Sequence, residues 1–186
     1  LDNNSRGESS RLETLINKIT FIECDIRNTD KVINVTKGAD SFIHLAAVNG
    51  TENFYKNPEK VLDVGVRGIL AAIDACRQNN IQELILASSS EAYQTPSIVP
   101  TPEEVPLIVP DVMNARYSYG GSKIISELLA INYGRKDFNR VMIFRPHNVY
   151  GPDMGWEHVL PQFILRTVRK IKKHPSGKIP FEILGN

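Results

Sequence analysis

The sequence predicts a doubly wound α/β fold on a parallel sheet, and three observations point to it. Its short apolar runs are continuous rather than alternating, as strands covered on both faces require. Segments of helical spacing separate those runs, and such alternation implies right-handed crossovers between parallel strands. The residues able to do chemistry fall just after the apolar runs, where open parallel sheets bind ligands.

The elements follow in order. The runs 19–22, 42–45, 84–87 and 141–144 read as strands. Residues 29–36 read as a short helix with Asn28 or Thr29 as its cap. A longer helix over 58–79 carries Val61, Leu62, Val64, Ile69, Leu70, Ala72 and Ile73 and stops at Asn79-Asn80. Another over 122–134 carries Ile124, Ile125, Leu128, Leu129 and Ile131. Both have more apolar residues than one sheet-facing stripe needs. Ile69, Ile73, Ile125 and Leu129 are therefore expected on an outer face open to a partner. Residues 94–116 contain Pro96, Pro100, Pro102, Pro106 and Pro110 without a period, and read as a long functional surface loop. Arg166, Arg169, Lys170, Lys172 and Lys173 lie on a helix after Pro161. They read as a solvated face, or as a reach towards a diphosphate.

Composition narrows the function. The 186 residues suit one domain with a real core. Hydrophobic content of 41% and charged content of 23% are those of a soluble globular protein. A net charge of +1 gives no field to attract nucleic acid or a membrane surface. No apolar stretch is long enough to span a bilayer, and no signal-peptide pattern opens the chain. Cys24 and Cys76 are too few for a disulfide framework or a zinc site, so no metal is expected and a reduced, cytoplasmic setting fits. The abrupt start at Leu1-Asp2-Asn3, without a Met, reads as a piece of a longer chain.

The chemistry centres on Tyr119-Gly120-Gly121-Ser122-Lys123, downstream of Ser88-Ser89-Ser90. Positions i and i+4 share a helix face, so phenol and ammonium can meet in one cleft. A nearby cation favours the phenolate and lowers a pKa that is ordinarily near 10. A hydroxyl from another element can hold the substrate oxygen whose proton moves. This equipment oxidises an alcohol beside a hydride acceptor.

Six pieces in order resemble the extended short-chain dehydrogenase/reductase family, in particular its NAD-dependent nucleotide-sugar epimerases, dehydratases and decarboxylases. They are Leu1 to Gly7, Cys24-Asp25-Ile26-Arg27, His44-Leu45-Ala46-Ala47, Ser88 to Tyr93, Tyr119 to Lys123, and Arg145 to Pro152. The resemblance implies a Rossmann-like domain over 1–186, incomplete at both ends, with a glycine-rich loop before Leu1 and a substrate-binding part starting after about residue 151. NAD is the implied cofactor and a nucleotide sugar the implied substrate. The cofactor residues it implies are Asp2, Asn3, Asp25, Ile26, Leu45, Ala46, Ala47, Ser88, Tyr119, Lys123 and Pro146. Asp2 would accept hydrogen bonds from the adenosine ribose and repel a 2′-phosphate, favouring NAD over NADP.

For the reaction, the resemblance implies Tyr119 as base, with Lys123 lowering its pKa and binding the nicotinamide ribose. Ser89 is the implied catalytic serine and Ser90 the runner-up. Glu91 corresponds to an acid that belongs to the site in dehydratase-like and decarboxylase-like relatives, where it can remove a ring proton beside a ketone. Ser90 stands where deoxythymidine-type dehydratases carry aspartate, which argues against that subclass. Asn148 is the implied substrate contact. Gly65 departs from an asparagine usual in relatives. A decarboxylase of the UDP-glucuronate type and a non-catalytic nucleotide-binding sensor are the alternative readings. The family also pairs its two long helices across a two-fold axis, which implies a homodimer. His44, inside a strand, reads as a core residue.

Overall fold

The computed structural model describes residues 1–151, 155–156 and 158–183, so Pro152 lies outside the described residues. The chain forms two compact units, 1–147 and 148–186. The first holds a parallel sheet of β1 (Ser41–His44), β2 (Glu83–Ala87) and β3 (Arg140–Phe144), side by side in chain order. Register aligns Phe42, Leu84 and Val141 in one row and His44, Leu86 and Ile143 in the next.

These rows face the core. They join Val32 of α1 (Thr29–Val35), Ile69, Ala72, Ile73 and Cys76 of α3 (Pro58–Gln78), and Ala130 of α4 (Ser118–Asp137) in one cluster. A short α2 (Thr51–Lys56) precedes α3. The opposite face of the sheet leaves Ile43, Met142 and Phe144 exposed. Within this stretch of chain the helices that connect β1, β2 and β3 all lie on the other face. The reason is topological: strands that advance in one direction through crossovers of one hand place the connecting helices on one side.

Local chemistry explains the helix ends. Asn28 caps α1, its Oδ1 accepting from the Lys31 N–H at 3.1 Å. Pro58 opens α3, with Glu59 in its first turn and Arg77 in its last, as the helix dipole favours. Asn80 then takes a left-handed conformation (φ 55°), and the Ile81 N–H closes back on the Cys76 carbonyl at 2.8 Å. The Asn79 amide donates to the Ile33 carbonyl at 2.7 Å, joining the ends of α1 and α3.

Three expectations need correction. Residues 19–22 form no strand; pairing there is a single parallel bridge between Asp2 and Glu23, because no successive residues pair beside it. Ile69 and Ile73 are not on an outer face. Together with Ala72 and Cys76 they follow the i, i+3, i+4, i+7 stripe that seats α3 on the sheet, and both are fully buried. Leu129 likewise packs against the core.

The crossing of α3 and α4 depends on small residues. A Cβ on Gly65 would lie 2.7 Å from the Ser122 Cβ, so the missing side chain is what admits α4 at this distance. The Ser126 hydroxyl, next along this seam, donates to the Ser122 carbonyl at 2.8 Å.

In the second unit, α5 (Val159–Lys173) uses its basic residues on its own tail. Arg166 and Lys170 donate to the carbonyls of Glu182 and Pro180 and lie 4.8 and 5.8 Å from the Phe181 ring centre. These two are therefore committed within the unit rather than to a diphosphate.

His44 is buried in the core, and its Nδ1 has no hydrogen-bond partner among the described residues. Burial, with Lys123 adding to it, lowers its pKa to about 4. The unfolded chain takes up this proton near pH 6.5, so stability is complete above that pH and falls as pH drops towards 4. His44→Leu should remove a loss on the order of 3 kcal/mol across that window. Urea unfolding at pH 7.5 and pH 5 checks it: an equal acid loss in both proteins would contradict this account.

Candidate active site

Asn114 sets up the start of α4. Its side chain accepts from the Arg116 N–H at 3.0 Å and caps a 3-10 turn, Ala115–Tyr117, that runs directly into the helix. The helix therefore begins earlier than its apolar spacing indicates, and Tyr119, Lys123 and Glu127 follow at intervals of four along one face.

Lys123 is 5% exposed, and its Nζ donates to the Ala87 carbonyl at 2.7 Å. Burial lowers its pKa to about 8 while Glu127 pulls it up, so the ammonium form still prevails at pH 7. Tyr119 behaves otherwise than expected: its phenol is pushed above the ordinary value, mainly by burial. The Ser89 side chain, within hydrogen-bonding reach, and the charge of Arg6 oppose that shift. Lys123 lies 5.6 Å from the Tyr119 ring centre with its ammonium turned to the strand carbonyl, so the expected lowering by Lys123 is not what governs the phenol.

The end of β2 separates the three serines. The Ser88 N–H donates to the Phe144 carbonyl at 2.8 Å, and the Ser88 hydroxyl is used by buried Glu127. That hydroxyl is thus engaged within the protein, at the end of β2. The Ser89 hydroxyl accepts from the Glu91 N–H at 3.1 Å beside the phenol. The Ser90 N–H donates to the Pro146 carbonyl at 3.0 Å, placing Pro146 against the serine run. Ser89 is thus the serine brought to Tyr119.

Glu91 pairs with Arg116 at 2.9 Å. Arg116 lies 5.2 Å from the Phe54 ring centre, and Phe54 stacks on Tyr119 at 5.1 Å and 17°. The expected acid is present near the phenol, but held by a cation from the end of the long loop.

A cavity of about 640 Å³ is lined by Asp2, Asn3, Asp25, Ile26, Leu45, Ala46 and Ala47. Seven expected cofactor residues, distant in sequence, share this wall. Two of its lining residues, Ala47 and Val48, also pack against the cluster of Phe54, Val61 and Tyr119. Asp2 accepts from the Asn4 N–H at 2.7 Å. The Asp25 carboxylate is held well below its usual range by hydrogen bonds from Arg27. Asn148 belongs to the second unit.

The whole sequence, residues 1–186, matches the family described as NAD dependent epimerase/dehydratase. The chain belongs to that family. This epimerase/dehydratase chain is 29% identical over 146 residues to dTDP-glucose 4,6-dehydratase of Streptomyces antibioticus, covering 78% of this chain and 42% of that one. It is 31% identical over 154 residues to a putative UDP-glucose 4-epimerase of Methanocaldococcus jannaschii, covering 81% and 47%. Among solved structures, UDP-glucose 4-epimerase from Brucella ovis in complex with NAD superposes with a TM-score of 0.71 at 27% identity, over 82% of this chain and 44% of that one. The chain thus spans less than half the length of these relatives, and the likeness establishes the Rossmann-like fold.

Two residues of this epimerase/dehydratase site escaped sequence reasoning. Glu127 continues the four-residue interval from Tyr119 and Lys123, a signal that was present and could have placed it on their face. Phe54 carries no signal: its place over the phenol depends on α2 folding back onto the start of α4.

Proposed function

We propose that the protein is an NAD-dependent nucleotide-sugar epimerase or dehydratase acting through transient oxidation at the sugar C4. The observation that carries this reading is Ser89 near the Tyr119 phenol at the end of β2, with Lys123 on the same face of α4 and its ammonium on the Ala87 carbonyl. The relatives named above supply the nucleotide-sugar class.

The cavity has the size and mixed lining of a cofactor site. Asp2 and Asn3 would hold the adenosine ribose, Asp25 and Ile26 the adenine, Leu45 to Ala47 the middle of the dinucleotide, and Pro146 the nicotinamide side. Bound there, NAD supplies the acceptor that takes up and returns a hydride. Tyr119 as phenolate takes the proton of the 4-hydroxyl while Ser89 holds that oxygen. Ser89 and Arg6 favour the phenolate against burial. Lys123 keeps a positive charge beside the ribose. The 4-ketone acidifies the neighbouring ring proton, which Glu91 is placed to accept once Arg116 yields. Asn148 and the chain after about residue 151 begin the substrate side. A reducing compartment suits the two free, buried thiols Cys24 and Cys76.

The test is calorimetric titration of the whole protein with NAD, NADP and a panel of nucleotide sugars, followed by product analysis. Tighter binding of NAD than NADP and turnover of at least one nucleotide sugar are expected. Preference for NADP would remove the role given to Asp2, and failure to convert any nucleotide sugar would remove the reaction.

The outer face of α4 exposes Ile125, Leu128 and Ile131, with Leu62 of the adjoining α3 also exposed. We assign this face to an isologous dimer contact. Leu128→Glu should halve the mass seen by light scattering at micromolar concentration. An unchanged mass would place the contact elsewhere.

A further inference from the structure

A buried carboxylate lies one helical turn below Lys123, outside the steps above. Glu127 is 3% exposed. Burial pushes its pKa up, yet hydrogen bonds from Arg145 and Ser88 and the charges of Arg145 and Lys123 leave it lowered overall, so it is ionised. Arg145 grips it with two prongs, Nε to Oε1 at 2.8 Å and Nη2 to Oε2 at 2.7 Å. The Ser88 hydroxyl donates to the same Oε1. Arg145 is itself fixed, donating to the Tyr93 hydroxyl at 2.7 Å and the Glu103 carbonyl at 3.2 Å.

A buried ion pair is a weak source of stability, since its desolvation offsets most of its attraction. Its position is more telling. Ser88 precedes Ser89 at the end of β2, Arg145 precedes Pro146 after β3, and Glu127 follows Lys123 by one turn of α4. One carboxylate therefore joins the three places that carry the proposed chemistry. We propose that Glu127 is a positioning residue: it ties the ends of β2 and β3 to α4, fixing Ser89 and holding the Lys123 ammonium in its charged form against the Ala87 carbonyl. This rests on the roles given above to Tyr119, Ser89 and Lys123.

The groups that face Lys123 come from three elements. From α4 come Glu127 and the Tyr119 ring, from β1 buried His44, and from β2 the Ala87 carbonyl; Arg145 acts from beyond β3 through Glu127. His44 is neutral above about pH 4, so it adds no positive charge at working pH. The charge that offsets the burial of Lys123 is that of Glu127.

The test compares the whole protein with E127Q and E127D by NMR titration of the lysine Nζ and by steady-state kinetics. In E127Q the Lys123 titration should move down by about one pH unit, because the shape is kept and the charge lost. Turnover should fall at least about tenfold with KM changed less than about twofold. E127D keeps the charge on a shorter arm: Lys123 should titrate close to its original pH while turnover still falls. Lys123 titrating identically in E127Q and the unmutated protein would overturn the proposal. Should E127Q not fold, E127D decides: undiminished turnover overturns it, and reduced turnover with an unmoved lysine supports it. The titration needs no substrate, so it stands even if no nucleotide sugar is turned over.

Discussion

On the function proposed above, Tyr119→Phe should lower turnover of the whole protein by at least about 100-fold, the range expected for loss of a positioned acid–base group. The substitution removes one oxygen and little else. The ring that stacks on Phe54 at 5.1 Å is retained, and so are the apolar contacts with Val61. The cavity proposed to hold NAD is lined by other residues, so NAD affinity should change little. Loss therefore belongs in kcat, through a proton that has no acceptor beside Ser89. Turnover near that of the unmutated enzyme, measured with saturating nucleotide sugar, would show that another group is the base.

Gly65→Val costs about 2–3 kcal/mol of stability and also reduces turnover. The Cβ alone would sit 2.7 Å from the Ser122 Cβ and 2.8 Å from its Oγ, and the nearer atom is no flexible side-chain end that can swing away. Either α3 or α4 must move, and α4 carries Tyr119 and Lys123. Ser122→Gly should restore part of the loss in the double variant, although glycine in a helix itself costs roughly 0.5–1 kcal/mol. Urea unfolding of the four proteins measures the coupling. Additive losses would mean that the two positions do not press on each other. The same contact gives a physical account of glycine at position 65: α4 lies too close for a side chain there.

Much of the candidate site was legible because its residues keep fixed chain spacings or fixed places after strands. Tyr119 and Lys123 share a face by helical geometry alone, and the ends of β1 and β2 deliver Leu45 to Ala47 and Ser88 to Glu91 by topology. What could not be read is pairing across the chain. Arg116 reaches back to Glu91, Arg145 reaches Glu127 and Ser88, and Phe54 covers the phenol. No local pattern encodes these contacts, because each partner is supplied by a different element.

The sequence by itself determined a parallel α/β domain, the order of β1, β2 and β3 and of the long helices between them, and the Tyr119–Lys123 face. These follow from periodicity and from where chemistry falls along the chain, whereas the residues expected around the cavity came from the family resemblance. Only the tertiary structure decided that the Ser88 hydroxyl engages Glu127 while Ser89 lies beside the phenol, and that Ile69 and Ile73 belong to the core. Burial in the folded chain also pushes the Tyr119 phenol up more than any neighbouring cation pulls it down, and a carboxylate four residues further on opposes the effect of burial on Lys123. The physical reason is that desolvation and ion pairing depend on distance in space, and spacing along a chain fixes that distance only within a single helix or strand.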